Sequence, residues 1–306
     1  MRTLVDVPSL FYGVKALILA VMMSSVSPVI HAGEPLNIFV SVLPQQFFVE
    51  RIGGEWVNVE VMVKPGFSPA TYESSPRQIS SLAKAVLYFR VGVPFEEAWM
   101  KRIQAVNPTM AVVDSREGVH LLEIAHHDHD HAHSEGDSHD DESKVLDPHI
   151  WTSPQIAVSM ATQIRDELVK LSPAQASVFT TNHARLVEAL QSLDDELKAL
   201  FSASSERKFM VFHPSWGYFA ESYGLRQIAI EFEGKEPGAR ALSDLIKQAK
   251  KEQVKTIFVQ PQFDARAAKQ VARAIGGNVV AIDPLAADYV ENLRKAARLI
   301  AGVSDE

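Results

Sequence analysis

The feature that most constrains the fold is a set of short apolar runs at 37–42, 57–63, 86–91, 208–212, 227–231, 256–260 and 278–282. A strand with one face in water alternates apolar and polar side chains, whereas a strand covered on both faces does not. Most of these runs are nearly continuous, and segments of helical periodicity separate them. That combination predicts an α/β fold of mainly parallel sheets flanked by helices.

Two helices can be placed from their start signals. Ser153-Pro154 reads as a cap followed by proline in the first turn, and Ile156, Met160, Ile164 and Leu168 then mark one face. Ser172-Pro173 opens a second helix that runs to about Phe201, with Leu186, Leu190, Leu193, Leu197 and Leu200 spaced by three and four. At ~1.5 Å per residue this helix is a rod of roughly 40 Å. Lying between two sets of strands, it is expected to join two lobes rigidly; the other reading is a long helix packed within one domain.

The first 32 residues have a different pattern. Arg2 and Lys15 supply positive charge, an apolar run occupies 16–23, and Ala32 precedes the polar Gly33-Glu34-Pro35. This is the pattern of a secretory signal peptide, with cleavage expected near Ala32. The apolar run is short for a bilayer span and is succeeded at once by Ser24, Ser25 and then Pro28. With no cysteine in the chain, disulfides, thiolate zinc sites, iron–sulfur clusters and a lipid-modified cysteine are excluded. The expectation is a periplasmic protein that diffuses freely. A formal net charge of −8 argues against nucleic acid as a partner.

Any transition metal must then be held by imidazole and oxygen. The segment 126–142 reads HHDHDHAHSEGDSHDDE. It holds too little apolar surface to fold alone and is expected to be a flexible loop. His126, His127, His129, His131, His133 and His139 lie there among Asp and Glu, a composition suited to loose collection of divalent metal. A fixed site needs ligands on stiffer backbone. His213-Pro214 comes directly after one apolar run and Asp283-Pro284 directly after another. Ligands of open α/β sheets bind at the carboxyl ends of strands. Asp147-Pro148-His149-Ile150-Trp151 stands just after the histidine-rich segment. Each residue also has an ordinary reading: a lone histidine near a strand end is more often a satisfied polar residue, and Asp283 could cap the next helix. Trp151 and Trp216 read as packing around the site, since an indole nitrogen only donates.

These motifs, taken in order, resemble the cluster A-I zinc/manganese solute-binding proteins of bacterial ABC importers. The resemblance runs from about Leu36 to Ala301. It is carried by Pro65-Gly66 leading to Tyr72-Glu73, by Asp147-Pro148-His149-Ile150-Trp151 and by Phe212-His213-Pro214-Ser215-Trp216. Glu233-Gly234-Lys235-Glu236-Pro237 and Asp283-Pro284 complete it. It implies two α/β lobes joined by one long rigid helix, with a metal ion in the cleft held by three histidines and a carboxylate. His149, His213 and Asp283 match that set. Ala70 stands where the family usually has histidine, and a methyl group cannot coordinate. Water, Glu73 or a histidine of the 126–142 segment would complete the site.

The expected organisation is a signal peptide at 1–32, an N-terminal lobe at 33–171, a connecting helix at 172–202 and a C-terminal lobe at 203–306. The expected role is capture of Zn(2+), with Mn(2+) or Fe(2+) as the alternative, and delivery to an inner-membrane ABC permease by a monomer. A periplasmic zinc buffer or chaperone would use the same ligands. A zinc hydrolase is the remote alternative, because two histidines, a carboxylate and water also make an open catalytic site. The sequence has no HExxH helix, no Gly-x-Ser-x-Gly elbow and no phosphate-binding glycine loop, so an enzyme is not expected.

Overall fold

The computed structural model of the chain describes residues 33–124, 145–231 and 237–303. The expected signal peptide, the 126–142 segment with its six histidines, and residues 233–236 lie outside the described residues.

Each of the seven apolar runs forms a strand. The first half contains β1 (Leu36–Val40), β2 (Val57–Val61), β3 (Leu87–Arg90) and β4 (Ala111–Asp114). The second contains β5 (Lys208–Val211), β6 (Arg226–Ala229), β7 (Thr256–Val259) and β8 (Asn278–Ala281). The strand orders are β2-β1-β3-β4 and β6-β5-β7-β8, and every neighbouring pair is parallel. β4 was not among the expected strands. Its four residues, Ala-Val-Val-Asp, are partly exposed at the sheet edge, too few to give a periodic signal.

Nine helices lie between and after the strands among the described residues: α1 (Leu43–Gly53), α2 (Pro76–Leu82), α3 (Pro94–Val106), α4 (Pro154–Leu171), α5 (Ala176–Ala203), α6 (Gly217–Ser222), α7 (Ala239–Lys251), α8 (Arg266–Ile275) and α9 (Tyr289–Ile300). α4 starts where its cap predicts, with the Ser153 side chain accepting from the backbone of Ile156. The long helix α5 begins after a 3₁₀ turn at Pro173–Gln175. It packs on α1 and α4 of the first half and on α9 of the second, so it lies between the two lobes. Leu186, Leu190, Leu193 and Leu197 are buried as the spacing predicts, but Phe201 rather than Leu200 closes the seam.

Asp194 shares that buried face. Its carboxylate accepts from Tyr223 Oη (3.0 Å) and from Gln155 Nε2 (3.2 and 3.3 Å), and Lys198 Nζ lies 2.6 Å away. One carboxylate thereby joins α4, α5 and the end of α6, and its polar burial is compensated by hydrogen bonds. Burial and the Asp194 charge raise the pKa of the Tyr223 phenol far above its ordinary value, so it stays a donor.

The second sheet shows why its runs had to be continuous. Phe209, Val211 and Phe258 join the main core, which includes α5, α6 and α9. Met210, Phe212, Ile257 and Val259 point to the other face and form a second core with α7 and α8. Successive strand side chains face opposite ways, so a sheet covered on both sides needs apolar residues at every position.

Candidate metal site

Residues just beyond the ends of β3, β4, β5, β6, β7 and β8 line one cavity of about 600 Å³. This is the crevice at the carboxyl ends of strands where ligands of open α/β sheets are expected. His149 and His213 both line it, with ring centroids 5.3 Å apart and ring planes at 78°.

His213 is positioned by the strand that precedes it. Its backbone N–H donates to Gln260 Oε1 (3.2 Å), and Gln260 Nε2 donates to its carbonyl (2.7 Å) and to Ser215 Oγ (2.9 Å). Gln260 comes directly after β7, the neighbour of β5, so the parallel pairing itself brings the clamp into place. The ring donates from Nδ1 to Glu231 Oε2 (2.5 Å) and stacks on Phe263 at 4.7 Å. Burial lowers the imidazole pKa below its usual value, against the opposing effect of the Glu231 hydrogen bond, which favours the neutral ring that metal binding requires.

His149 is positioned differently. No strand leads into it; instead it precedes a 3₁₀ turn at Ile150–Thr152. Its backbone N–H and its Nδ1 both donate to Asp147 Oδ1, at 2.9 and 2.6 Å. Bonds to the C-terminal half hold the segment. Tyr218 Oη donates to the Asp147 carbonyl (2.8 Å), Trp151 Nε1 to the Pro284 carbonyl (2.7 Å) and Tyr289 Oη to the Trp151 carbonyl (2.7 Å). Asp147 Oδ2 lies against the Cα of Gly217, where an added Cβ would sit 2.6 Å from it. Glycine at 217 is therefore what admits the carboxylate that orients His149.

Each histidine thus spends Nδ1 on a buried carboxylate and leaves Nε2 available to coordinate. That is the outer-shell arrangement of metal-bound histidines: the carboxylate fixes the tautomer and raises the basicity of the other nitrogen. Asp147 opens the motif that contains His149, but its position in the sequence assigns it no role of its own. Glu231 ends an apolar run and has no local signal; only the pairing of β5 with β6 brings it to His213.

Asp283 was expected to meet the two histidines, and the structure places it one side chain away. It lines an adjoining pocket of about 160 Å³, and Gln262 and Leu285 line both spaces. Its Oδ1 accepts from Gln262 Nε2 (2.8 Å) and from the backbone of Leu285 (2.9 Å). An aspartate two residues before a free N–H forms this local turn readily. Among the described residues no three His, Asp or Glu side chains are gathered closely enough to hold an ion. Ala70 forms part of the cavity wall, whereas Glu73 is not among the lining residues.

A family model for the periplasmic zinc-uptake complex component A, ZnuA, matches residues 38–303. The chain belongs to the ZnuA family. A crystal structure of ZnuA is 38% identical, covers 88% of this chain and 99% of its own, and superposes with a TM-score of 0.80. A zinc-bound ZnuA deletion mutant gives 37% identity, a TM-score of 0.79 and coverage of 89% and 100%. The zinc-binding protein AdcA of Streptococcus pyogenes serotype M3 is 28% identical over 262 residues, which is 82% of this chain. The chain spans about half the length of that relative, 50%. ZnuA-family chains are components of an uptake complex, which is a transport role and not an enzymatic one.

Proposed function

We propose that the chain is the periplasmic substrate-binding component of an ABC importer, capturing Zn(2+) in the cavity and delivering it to a membrane permease. One observation carries the reading: two buried or nearly buried imidazoles face each other across the cavity, each with Nδ1 occupied by a carboxylate. Two Nε2 atoms so prepared are suited to a shared metal ion. Asp283 joins them once its bond to Gln262 exchanges for the ion. Zinc suits this mixture of imidazole and carboxylate in a four-ligand site, whereas manganese favours more oxygen.

The 126–142 segment would raise the local metal concentration at the mouth of the site. Its supporting observation is that Ile124 and Val145, the described residues flanking positions 125–144, both line the cavity and are joined by an Ile124 N–H to Val145 carbonyl bond of 2.9 Å. Cleavage near Ala32 would free the protein in the periplasm. Among the described residues no helix is long and apolar enough to cross a membrane.

The test is zinc titration of the purified protein against a competing chelator, repeated with manganese. Tight zinc binding that His149→Ala and His213→Ala each abolish is expected; unchanged binding in both variants overturns the reading. Loss of cellular zinc uptake on deleting the gene separates an importer component from a periplasmic buffer.

A further inference from the structure

The cavity is larger and less polar than a bare ion needs. Its volume of about 600 Å³ falls within the roughly 300–1,000 Å³ of small-molecule sites, whereas zinc bonds are only about 2 Å long. Val93, Ile124, Val145, Leu146, Phe263 and Leu285 form much of its wall. Apolar surface gives nothing to a hydrated cation, but it shelters the carbon atoms of an organic ligand. Among the described residues no three His, Asp or Glu side chains are gathered to hold an ion. The two facing imidazoles therefore leave positions to be filled around a four-coordinate zinc.

The same wall carries a guanidinium, which no bare cation calls for. Arg116 lines the cavity, and its Nε (2.9 Å) and Nη2 (2.7 Å) donate to Asp114. Its Nη1 has no hydrogen-bond partner among the described residues. Arginine has five N–H donors, so the edge formed by Nη1 and Nη2 can still grip a second carboxylate. Gly92, also on the wall, makes room for this group: its φ is +83°, and a Cβ there would meet Arg116 Nη1 at 2.1 Å. Of the carboxylates on the wall, Glu231 is spent on His213, and Glu97 is exposed to water, which screens it.

We infer that the cavity takes zinc together with a small carboxylate chelator, an amino acid or a hydroxycarboxylate. The chelator completes the coordination of the ion held by His149 and His213, and its carboxylate pairs with Arg116. The inference deepens the metal-binding reading above and rests on it. One molecule of this size inside a single cavity meets the imidazole-bound ion at one end and the guanidinium at the other, while the apolar wall covers its carbon atoms.

The experiment is equilibrium dialysis of the metal-free wild-type chain against labelled zinc, alone and with labelled L-histidine or citrate, counting both labels on the protein. One chelator retained per zinc is expected for at least one of the two, and none in the absence of zinc. Arg116→Gln should lower the chelator retained per zinc by roughly tenfold or more, the worth of hydrogen bonds between charged groups. Arg273→Gln, which removes an exposed cation of α8 outside the cavity lining, should match the wild type. The ratio of chelator to zinc is a readout that a merely structural role of Arg116 does not move. Zinc retained by the wild type with neither chelator, chelator retained without zinc, or an unchanged ratio in Arg116→Gln overturns the inference and leaves the metal-binding reading standing. A wild-type chain that retains zinc under none of these conditions overturns both.

Discussion

The two histidines reach the same cavity by opposite means. His213 is placed by its own strand: β5 delivers it, and the neighbouring strands β7 and β6 deliver Gln260 and Glu231 from their carboxyl ends. His149 hangs on an irregular segment that stays in place only because Tyr218, Pro284 and Tyr289 of the other half hold its backbone and its tryptophan. One histidine is therefore as stable as a sheet, and the other is as stable as a contact between lobes. The His149 segment is then expected to open more readily than the His213 strand end, because local openings are drawn from the weaker contacts.

The sharpest way to break that comparison is to remove each imidazole. His149→Ala and His213→Ala should each weaken zinc binding by more than roughly 100-fold in a competition titration, exceeding what an outer-shell partner is worth. If either variant stays within a few-fold of wild type, that histidine is not a ligand.

Smaller effects are expected from the carboxylates behind the rings. Asp147→Asn and Glu231→Gln should each lower zinc affinity by roughly 10–100-fold, with the fold retained by circular dichroism. Gly217→Ala should imitate Asp147→Asn in weaker form, because the new methyl group drives Asp147 Oδ2 from its seat. An unchanged affinity in Gly217→Ala would mean that Asp147 can orient His149 from another position.

Trp151→Phe sharpens the contrast. It keeps most of the ring and deletes the bond to the Pro284 carbonyl, a loss of about 1 kcal/mol in thermal or denaturant unfolding. Histidine NMR resonances should shift at His149 and hold still at His213. Equal shifts would show that the two positions are not independent.

The least of these effects is a pH dependence. The pKa of His213 is lowered by burial, so the unfolded chain takes up its proton first as pH falls below about 6.5. In the window between that value and the lower folded pKa, the unfolded state binds more protons, and stability of the metal-free protein rises with pH. The melting temperature should fall from pH 7.5 to 5.5 in the wild type and fall less in His213→Phe. The share of zinc binding that depends on a neutral His213 should persist below about pH 6.5, readable by titration at fixed ionic strength.

Much of the frame was legible because it arises from periodicity. Seven apolar runs, most of them nearly continuous, became seven parallel strands, and the capped start of α4 lies where Ser153-Pro154 puts it. β4 was missed because four half-exposed edge residues carry no pattern. Among the site residues, His213 was readable as a strand-end histidine and His149 only through the motif around it. Glu231 and Gln260 carried no local mark. Each meets His213 only through the pairing of strands distant in the chain.

The sequence by itself determined the chemistry on offer: no thiolate, histidines and carboxylates beside prolines, and sheets that had to be covered on both faces. Only the tertiary structure decided which of those groups face one another. Strand order sets Glu231 and Gln260 beside His213, a glycine without a side chain admits Asp147 beside His149, and a local turn holds Asp283 back. Side-chain type is a property of one position, but coordination is a property of several positions at once, and packing alone brings those together.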